Sequence, residues 1–318
     1  MSATLDDLLD GLHVVALPMR VRFRGIDLRE VALIEGSSGW GEFGAFLEYG
    51  PAEAAHWLAS AVEAAHGVSP TPLRDRIPIN ATVPAVGPAR VPEVLARFPG
   101  ATTAKVKVAE RGQTLADDVA RVDAVRAAVP RVRVDANGGW TVAQAVEAAA
   151  ALTAGGPLEY LEQPCATVAE LAELRRLIDV PVAADESIRK AEDPLLVVRA
   201  KAADVAVVKV APLGGVKRLL DVAAQIDVPI VVSSALDTAV GMSRGLLAAA
   251  CLPSLPYACG LGTGGLFVED VVDAVLPVDG HLAVGPVVPD PARLHELAAP
   301  ADRRQWWIDR IRTCWQHL

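Results

Sequence analysis

From Ile77 onward, short β-branched runs alternate with Ala/Leu-rich stretches at helical spacing, the pattern of successive βα units on a parallel sheet. The predicted strands are IPINATV (77–83), TAKVKVA (103–109), RVRVDAN (131–137), LEYLEQP (158–164), VPVAADES (180–187), DVAVVKVAP (204–212), VPIVVSSA (228–235) and YACGLG (257–262). The segments between them carry helix signals. In TVAELAELRRLI, Thr167 and Glu170 form a capping-box pair, and Leu171, Leu174, Leu177 and Ile178 fall on one face. Thr141 and Gln144 open the preceding helix in the same way, with Gly155 to close it. Eight strands separated by single helices could also form an open doubly wound sheet, but no GxGxxG follows the first strand to open a nucleotide site, so a closed barrel is predicted.

The first 76 residues have a different rhythm. Strand-like MRVRFRG and REVALIEG lead through the turn-rich SSGWGEFG into an alanine-rich helix, PAEAAHWLASAVEAA, which predicts a small α+β domain at residues 1–76, ahead of a barrel at 77–265. Residues 266–318 leave the βα rhythm and end in an aromatic amphipathic helix, expected to pack Trp306, Trp307 and Trp315 back on the protein rather than lie on a membrane.

Composition narrows the function. A chain of 318 residues, 52% hydrophobic, suits one barrel plus an accessory domain. Net charge is −9 and no Lys/Arg block stands out, which argues against a nucleic-acid partner. Cys165, Cys251, Cys259 and Cys314 form no CxxC pair and read as reduced thiols. The acidic start MSATLDDLLDGLH is unlike a signal peptide, and no apolar run reaches about 18 residues, so a soluble cytoplasmic protein is expected.

Barrel active sites form at the carboxyl ends of the strands. Lys107, Asp135, Glu162, Asp185 and Lys209 stand at the ends of the second to sixth strands, 28, 27, 23 and 24 residues apart. Taken singly, an Asp after a strand is usually a helix cap: Asp135 could cap a helix near Thr141, and Asp185 one near Ala191. Glu162, however, sits inside LEYLEQP, where burying it without a partner is costly. Three carboxylates on adjacent strands need positive charge between them, and all-oxygen ligation selects Mg2+, with Mn2+ a possible substitute. The six histidines (13, 56, 66, 281, 295 and 317) lie outside the pattern, which leaves Lys107 and Lys209 as the bases. An ammonium beside a divalent cation and a second ammonium is pushed toward its neutral form. Such a pair suits removal of a proton α to a carboxylate, with the cation stabilising the charge that develops.

KVK (105–107), VDANGGW (134–140), EQP (162–164), ADES (184–187) and VVKVAPLGG (207–215) resemble, in order and spacing, the muconate-lactonising-enzyme subgroup of the enolase superfamily, and WGE (40–42) resembles its capping domain. The resemblance implies a TIM-like (β/α)7β barrel, an α/β fold, with an N-terminal α+β capping domain. By position it implies Asp135, Glu162 and Asp185 as magnesium ligands, Lys107 as acid/base and Lys209 as the opposing lysine. It also implies Lys105 as a cation near the substrate carboxylate, Asn137 and Glu186 as residues that orient the ligands, and Ser233, Ser234 and Gly262 as lining of the substrate pocket. The compact chain and the short segment MRVRFRGIDLRE look like the subgroup's actinobacterial dehydratases. These act on a small carboxylate, 2-succinyl-6-hydroxy-2,4-cyclohexadiene-1-carboxylate, in menaquinone biosynthesis. The subgroup's N-succinylamino acid racemases and dipeptide epimerases also use two lysines and remain an alternative. Outside the subgroup stand a Schiff-base aldolase on Lys209 and a non-catalytic ligand-binding barrel. GLGTGG (260–265) reads as a barrel-closing loop, since no Gly-Lys-Ser/Thr follows.

Overall fold

The computed structural model describes residues 3–23, 25–189 and 194–318. After a short helix, Leu5–Asp10, it forms an antiparallel sheet of β1 (Leu12–Phe23), β2 (Ile26–Gly36) and β3 (Gly39–Phe43) in that order. Helix Pro51–His66 lies on this sheet and buries Ala54, Ala55, Trp57, Leu58, Ala61 and Ala65. The contact is too close for a side chain on the strand: a Cβ on Gly41 would sit 2.0 Å from the Ala61 carbonyl oxygen. Glycine is therefore required there by packing.

The carboxyl-terminal helix Ala301–Trp315 returns to the same sheet. Trp307 is fully buried, its ring edge-on to Phe43 with centroids 5.5 Å apart, and its indole N–H donates to Glu30 at 3.0 Å. Trp307 is thus internal packing with its indole N–H satisfied, and Trp315 is partly buried, whereas Trp306, also expected to pack inward, is 36% exposed. Among the described residues no helix is long and apolar enough to cross a membrane.

Strand β4 (Arg76–Pro78) precedes seven parallel strands: β5 (Ala81–Val83), β6 (Thr103–Lys107), β7 (Arg131–Asp135), β8 (Leu161–Glu162), β9 (Val182–Ala184), β10 (Val205–Val208) and β11 (Ile230–Val232), which pair in chain order. The predicted first strand is split. Residues 76–78 pair antiparallel with β12 (His281–Ala283), about two hundred residues away, and only Ala81–Val83 joins the parallel sheet. The predicted eighth strand makes no ladder either. Cys259 bridges Ile79 at one edge of the sheet and Gly260 bridges Ser233 at the other. Gly260 comes so near its neighbour that a Cβ would lie 2.4 Å from Ser233 Oγ.

Period-two alternation sorts the strand residues. Ala104, Val106, Val132 and Val134 face the helices in the main core, while Ala183, Val205, Val207 and Val231 cluster with Tyr160 on the other face. The capping boxes form as expected at Thr141/Gln144 and Thr167/Glu170, with another at Thr114/Asp117. The helix after Thr167 is shorter than its pattern suggested. It ends at Leu174, so Leu171 and Leu174 are buried but Leu177 is 56% exposed. Arg175 follows directly and donates to Asp204, which takes the Val182 N–H and turns the chain into β9.

Candidate active site

Sheet register brings the predicted residues together. Lys107 pairs with Asp135, and Asp135 with Glu162, as direct cross-strand neighbours. Glu162 pairs with Ala183, so Asp185, two residues on, projects from the same face one step higher. Val205 also pairs with Ala183, and Lys209 continues that strand's inward parity. Lys107, Asp135 and Glu162 thus stand level on one rim, with Asp185 two and Lys209 four residues beyond that level on their own strands.

The contacts are ionic and buried. Lys107 Nζ donates to Asp135 Oδ2 at 2.5 Å and to Asn137 Oδ1 at 2.7 Å. Lys105 Nζ lies 2.6 Å from Glu162 Oε1 and 3.2 Å from Asp135 Oδ2, and Lys209 donates to Asp185 Oδ2. Three carboxylates thus face three ammonium groups. Burial pushes Asp135 upward, but Lys107 and Lys105 outweigh it and hold this acid well below its usual range. Asp185, pulled against burial by Lys209 and Arg189, comes down to about 2. Glu162 goes the other way, to about 7, because burial and the neighbouring Asp135 exceed the help of Lys105. Burial lowers Lys209 more than Asp185 raises it, and Arg189 adds to the lowering.

Among the described residues no three His, Cys, Asp or Glu side chains form a ready-made metal cage, since each carboxylate is engaged by a lysine. The donor set still fits a hard cation. Glu162 Oε2 is buried and accepts no hydrogen bond among the described residues, and Asp185 Oδ1 accepts none either, its contact being Arg189 Nε at 3.2 Å. Desolvated carboxylate oxygens of this kind are what an oxygen-preferring divalent ion satisfies.

The cap reading does not apply to Asp135. Thr141 caps the helix Val142–Thr153, and Asp135 Oδ1 accepts its own Asn137 N–H at 3.1 Å. Asp185 immediately precedes a short helix, Glu186–Arg189, but spends its carboxylate on Lys209 and Arg189; Ala191 lies outside the described residues. Asn137 joins Lys107 to Glu186, its Nδ2 donating to Glu186 Oε1 at 3.1 Å. Lys105 sits on the carboxylates themselves. Ser233, Ser234, Gly260 and Thr263 line the lysine pocket, with Ser234 and Thr263 hydroxyls 2.6 Å apart. Gly262 does not line it. It packs against Asn80 and Phe98 and faces a separate groove of about 820 Å³ beneath the 266–293 segment. Four contributors escaped the sequence reading. Gln163 takes the Asp185 and Ser187 N–H groups on its side-chain oxygen. Arg189 contacts Asp185, Glu186 and the Tyr49 hydroxyl. Phe23 and Phe46 line the pocket from the first domain, and Lys107 Nζ lies 5.4 Å from the Phe23 ring centre. A strand–turn Gln in EQP and an Arg four residues after Asp185 were visible signals; Phe23 and Phe46 come from a distant segment.

A family model described as Enolase C-terminal domain-like matches residues 91–290, and one described as Enolase N-terminal domain-like matches residues 14–65. The chain is 77% identical over 316 residues to an o-succinylbenzoate synthase of Mycobacterium marinum, covering 99% of this chain and 97% of that protein. It is 71% identical over 318 residues to one of Mycobacterium leprae, covering 100% of this chain and 95% of that protein. In fold it is similar to a muconate lactonizing enzyme from Pseudomonas fluorescens complexed with muconolactone, with a TM-score of 0.78 at 22% identity over 91% of this chain and 98% of that one. The chain therefore belongs to the enolase superfamily and, within it, to the family of o-succinylbenzoate synthases.

Proposed function

We propose that the chain is an o-succinylbenzoate synthase, a hydro-lyase that removes water from 2-succinyl-6-hydroxy-2,4-cyclohexadiene-1-carboxylate in menaquinone biosynthesis, with Lys107 and Lys209 as its catalytic lysines. One observation carries the site assignment: Lys107, Asp135 and Glu162 are cross-strand neighbours, with Asp185 and Lys209 next on the same rim. Asp135, Glu162 and Asp185 would hold Mg2+, or Mn2+ in its place, as sites of the enolase superfamily pair a Lys or His base with one or two Mg2+ ions. The bound ion would supply fixed positive charge for the substrate carboxylate as its α-carbon loses a proton. Two positive charges added to a balanced set of three carboxylates and three ammoniums favour a neutral lysine.

Lys107, as free amine, takes the proton from the carbon bearing the carboxylate. The released electron pair forms the ring double bond as the adjacent carbon–oxygen bond breaks, and the Lys107 ammonium returns its proton to the departing hydroxyl as water. One lysine can serve both steps because both groups leave from one face, a syn elimination. Lys209 holds its ammonium against the charge in the ring, Asn137 and Glu186 orient the site, and Ser233 and Ser234 line the pocket.

The fold reading is a (β/α)7β barrel closed by the Cys259 and Gly260 bridges, with the cap at 1–76, the barrel at 77–265 and the remainder packing back on both. Free cysteines accord with a cytoplasmic setting. The test is a dehydration assay run beside N-succinylamino acid racemisation, on wild type, Lys107→Ala and Lys209→Ala, with EDTA and magnesium re-addition. Dehydration that chelation stops, magnesium restores and both substitutions abolish is the expected result. Robust dehydration by Lys107→Ala defeats the mechanism; racemisation alone moves the substrate assignment to the racemase branch. Borohydride trapping of a carbonyl substrate on Lys209, indifferent to EDTA, would establish the aldolase instead.

A further inference from the structure

The first domain carries a buried glutamate and a buried arginine that the mechanism leaves without a task. Glu42, in β3, is 6% exposed and does not line the lysine pocket. Its Oε2 accepts the Thr238 N–H at 3.0 Å, the Thr238 hydroxyl at 2.6 Å and the Gly241 N–H at 3.0 Å. Arg29, in β2, is 3% exposed; its Nε donates to the Leu236 carbonyl at 3.1 Å and its Nη2 to the Gly44 carbonyl. Two buried polar side chains of one sheet thus grip residues 235–238 of the loop between β11 and helix Ala239–Cys251.

That loop belongs to the active site. Ala235 and Leu236 line the pocket that also holds Lys107, Asp135 and Lys209. Leu236 has φ +63°, a left-handed backbone that side-chain-bearing residues rarely adopt and keep only when their surroundings impose it. Glu42 also shares the capping of this helix, since Thr238 Oγ1 accepts the Val240 N–H at 3.2 Å while Glu42 takes that of Gly241, so one carboxyl ties the helix start and the pocket loop to the capping sheet.

We infer that Glu42 and Arg29 are positioning residues for substrate: from the capping sheet they set Ala235 and Leu236 as pocket wall, acting through Thr238 and the Leu236 carbonyl without touching substrate. The inference rests on the dehydratase reading for its kinetic arm only. Burial and the nearby Asp237 push Glu42 up to about 8, so glutamine, neutral and still an acceptor, is a close mimic of it.

The test combines steady-state dehydration kinetics with hydrogen exchange of the 235–241 amides in the full chain without substrate, for wild type, Glu42→Ala, Glu42→Gln and Arg29→Lys. Lysine cannot span two carbonyls as a guanidinium does. Glu42→Ala and Arg29→Lys should raise KM about tenfold with kcat held within roughly threefold, and speed exchange in 235–241 alone. Glu42→Gln should match wild type in both. Unchanged KM and unchanged local exchange in Glu42→Ala overturn the inference, as does a uniform rise in exchange with loss confined to kcat, the mark of general destabilisation. Should Glu42→Ala not fold, Arg29→Lys decides by the same readouts. A wild type that does not dehydrate defeats the dehydratase reading, while the exchange arm still decides whether the loop is gripped.

Discussion

Replacing Lys105 by methionine removes the cation that Asp135 and Glu162 share, and the structure sets how much that should cost. Lys105 Nζ is 2.6 Å from Glu162 Oε1 and 3.2 Å from Asp135 Oδ2, with all three side chains buried. At an effective dielectric of about 20 these contacts amount to roughly 5–6 kcal/mol each in gross attraction. Most is offset by desolvation, and stripping one partner from a buried pair leaves a net loss of about 3–5 kcal/mol. For 318 residues at about 2.1 cal/mol/K each, this lowers the melting midpoint by roughly 5–7 °C. The loss should depend on pH. Glu162 is raised from 4.5 to about 7, so a folded-state proton stabilises it below about 4.5, and that contribution fades as pH climbs toward 7. Lys105 matters most once Glu162 is ionised, so the Lys105→Met deficit should be largest at pH 8 and shrink toward pH 5. Magnesium, by binding the carboxylates of the folded state, should restore part of the midpoint at pH 8. Thermal unfolding at both pH values, with and without magnesium, measures all three. A deficit below about 1 °C at pH 8, or one that does not change with pH, would refute the reasoning.

Asn137→Gly keeps a backbone able to hold φ +48° while cutting the link between Lys107 and Glu186; kcat/KM for dehydration should fall roughly 10–100-fold with little change in melting, and wild-type kinetics would dismiss the orienting role. Trp307→Ala empties the contact with Phe43 and removes a donor from Glu30. Denaturant unfolding should show a loss of about 3–5 kcal/mol, with kcat per folded molecule unchanged; a loss under about 1 kcal/mol would mean that the helix is peripheral to the cap.

What the sequence determined by itself is the chemistry along each strand and the order of the strands. Alternation in TAKVK and RVRVD is local, so it states that Lys105 and Lys107 share one face of their strand and Arg133 and Asp135 one face of theirs, whatever surrounds them. Regular spacing then forces successive strand ends to one rim, which is why Lys107, Asp135 and Glu162 could be named as neighbours before any register was seen. Helix starts were legible for the same reason, as capping boxes need only residues three apart.

Only the tertiary structure decided what depends on chain closure. Residues 76–78 left the predicted strand because β12, far along the chain, offered an antiparallel partner. The final strand shrank to two bridges, Gly262 turned to another groove, and Leu177 reached solvent where the helix stopped short. Lys105 went to the carboxylates, because three buried anions set side by side claim whatever ammonium lies within reach. Arg189 on Tyr49, and Glu42 and Arg29 on the 235–238 loop, join residues some 140 to 210 positions apart. No local pattern encodes such pairs; they exist because two domains meet with water excluded, where a charge must find a partner in the other domain.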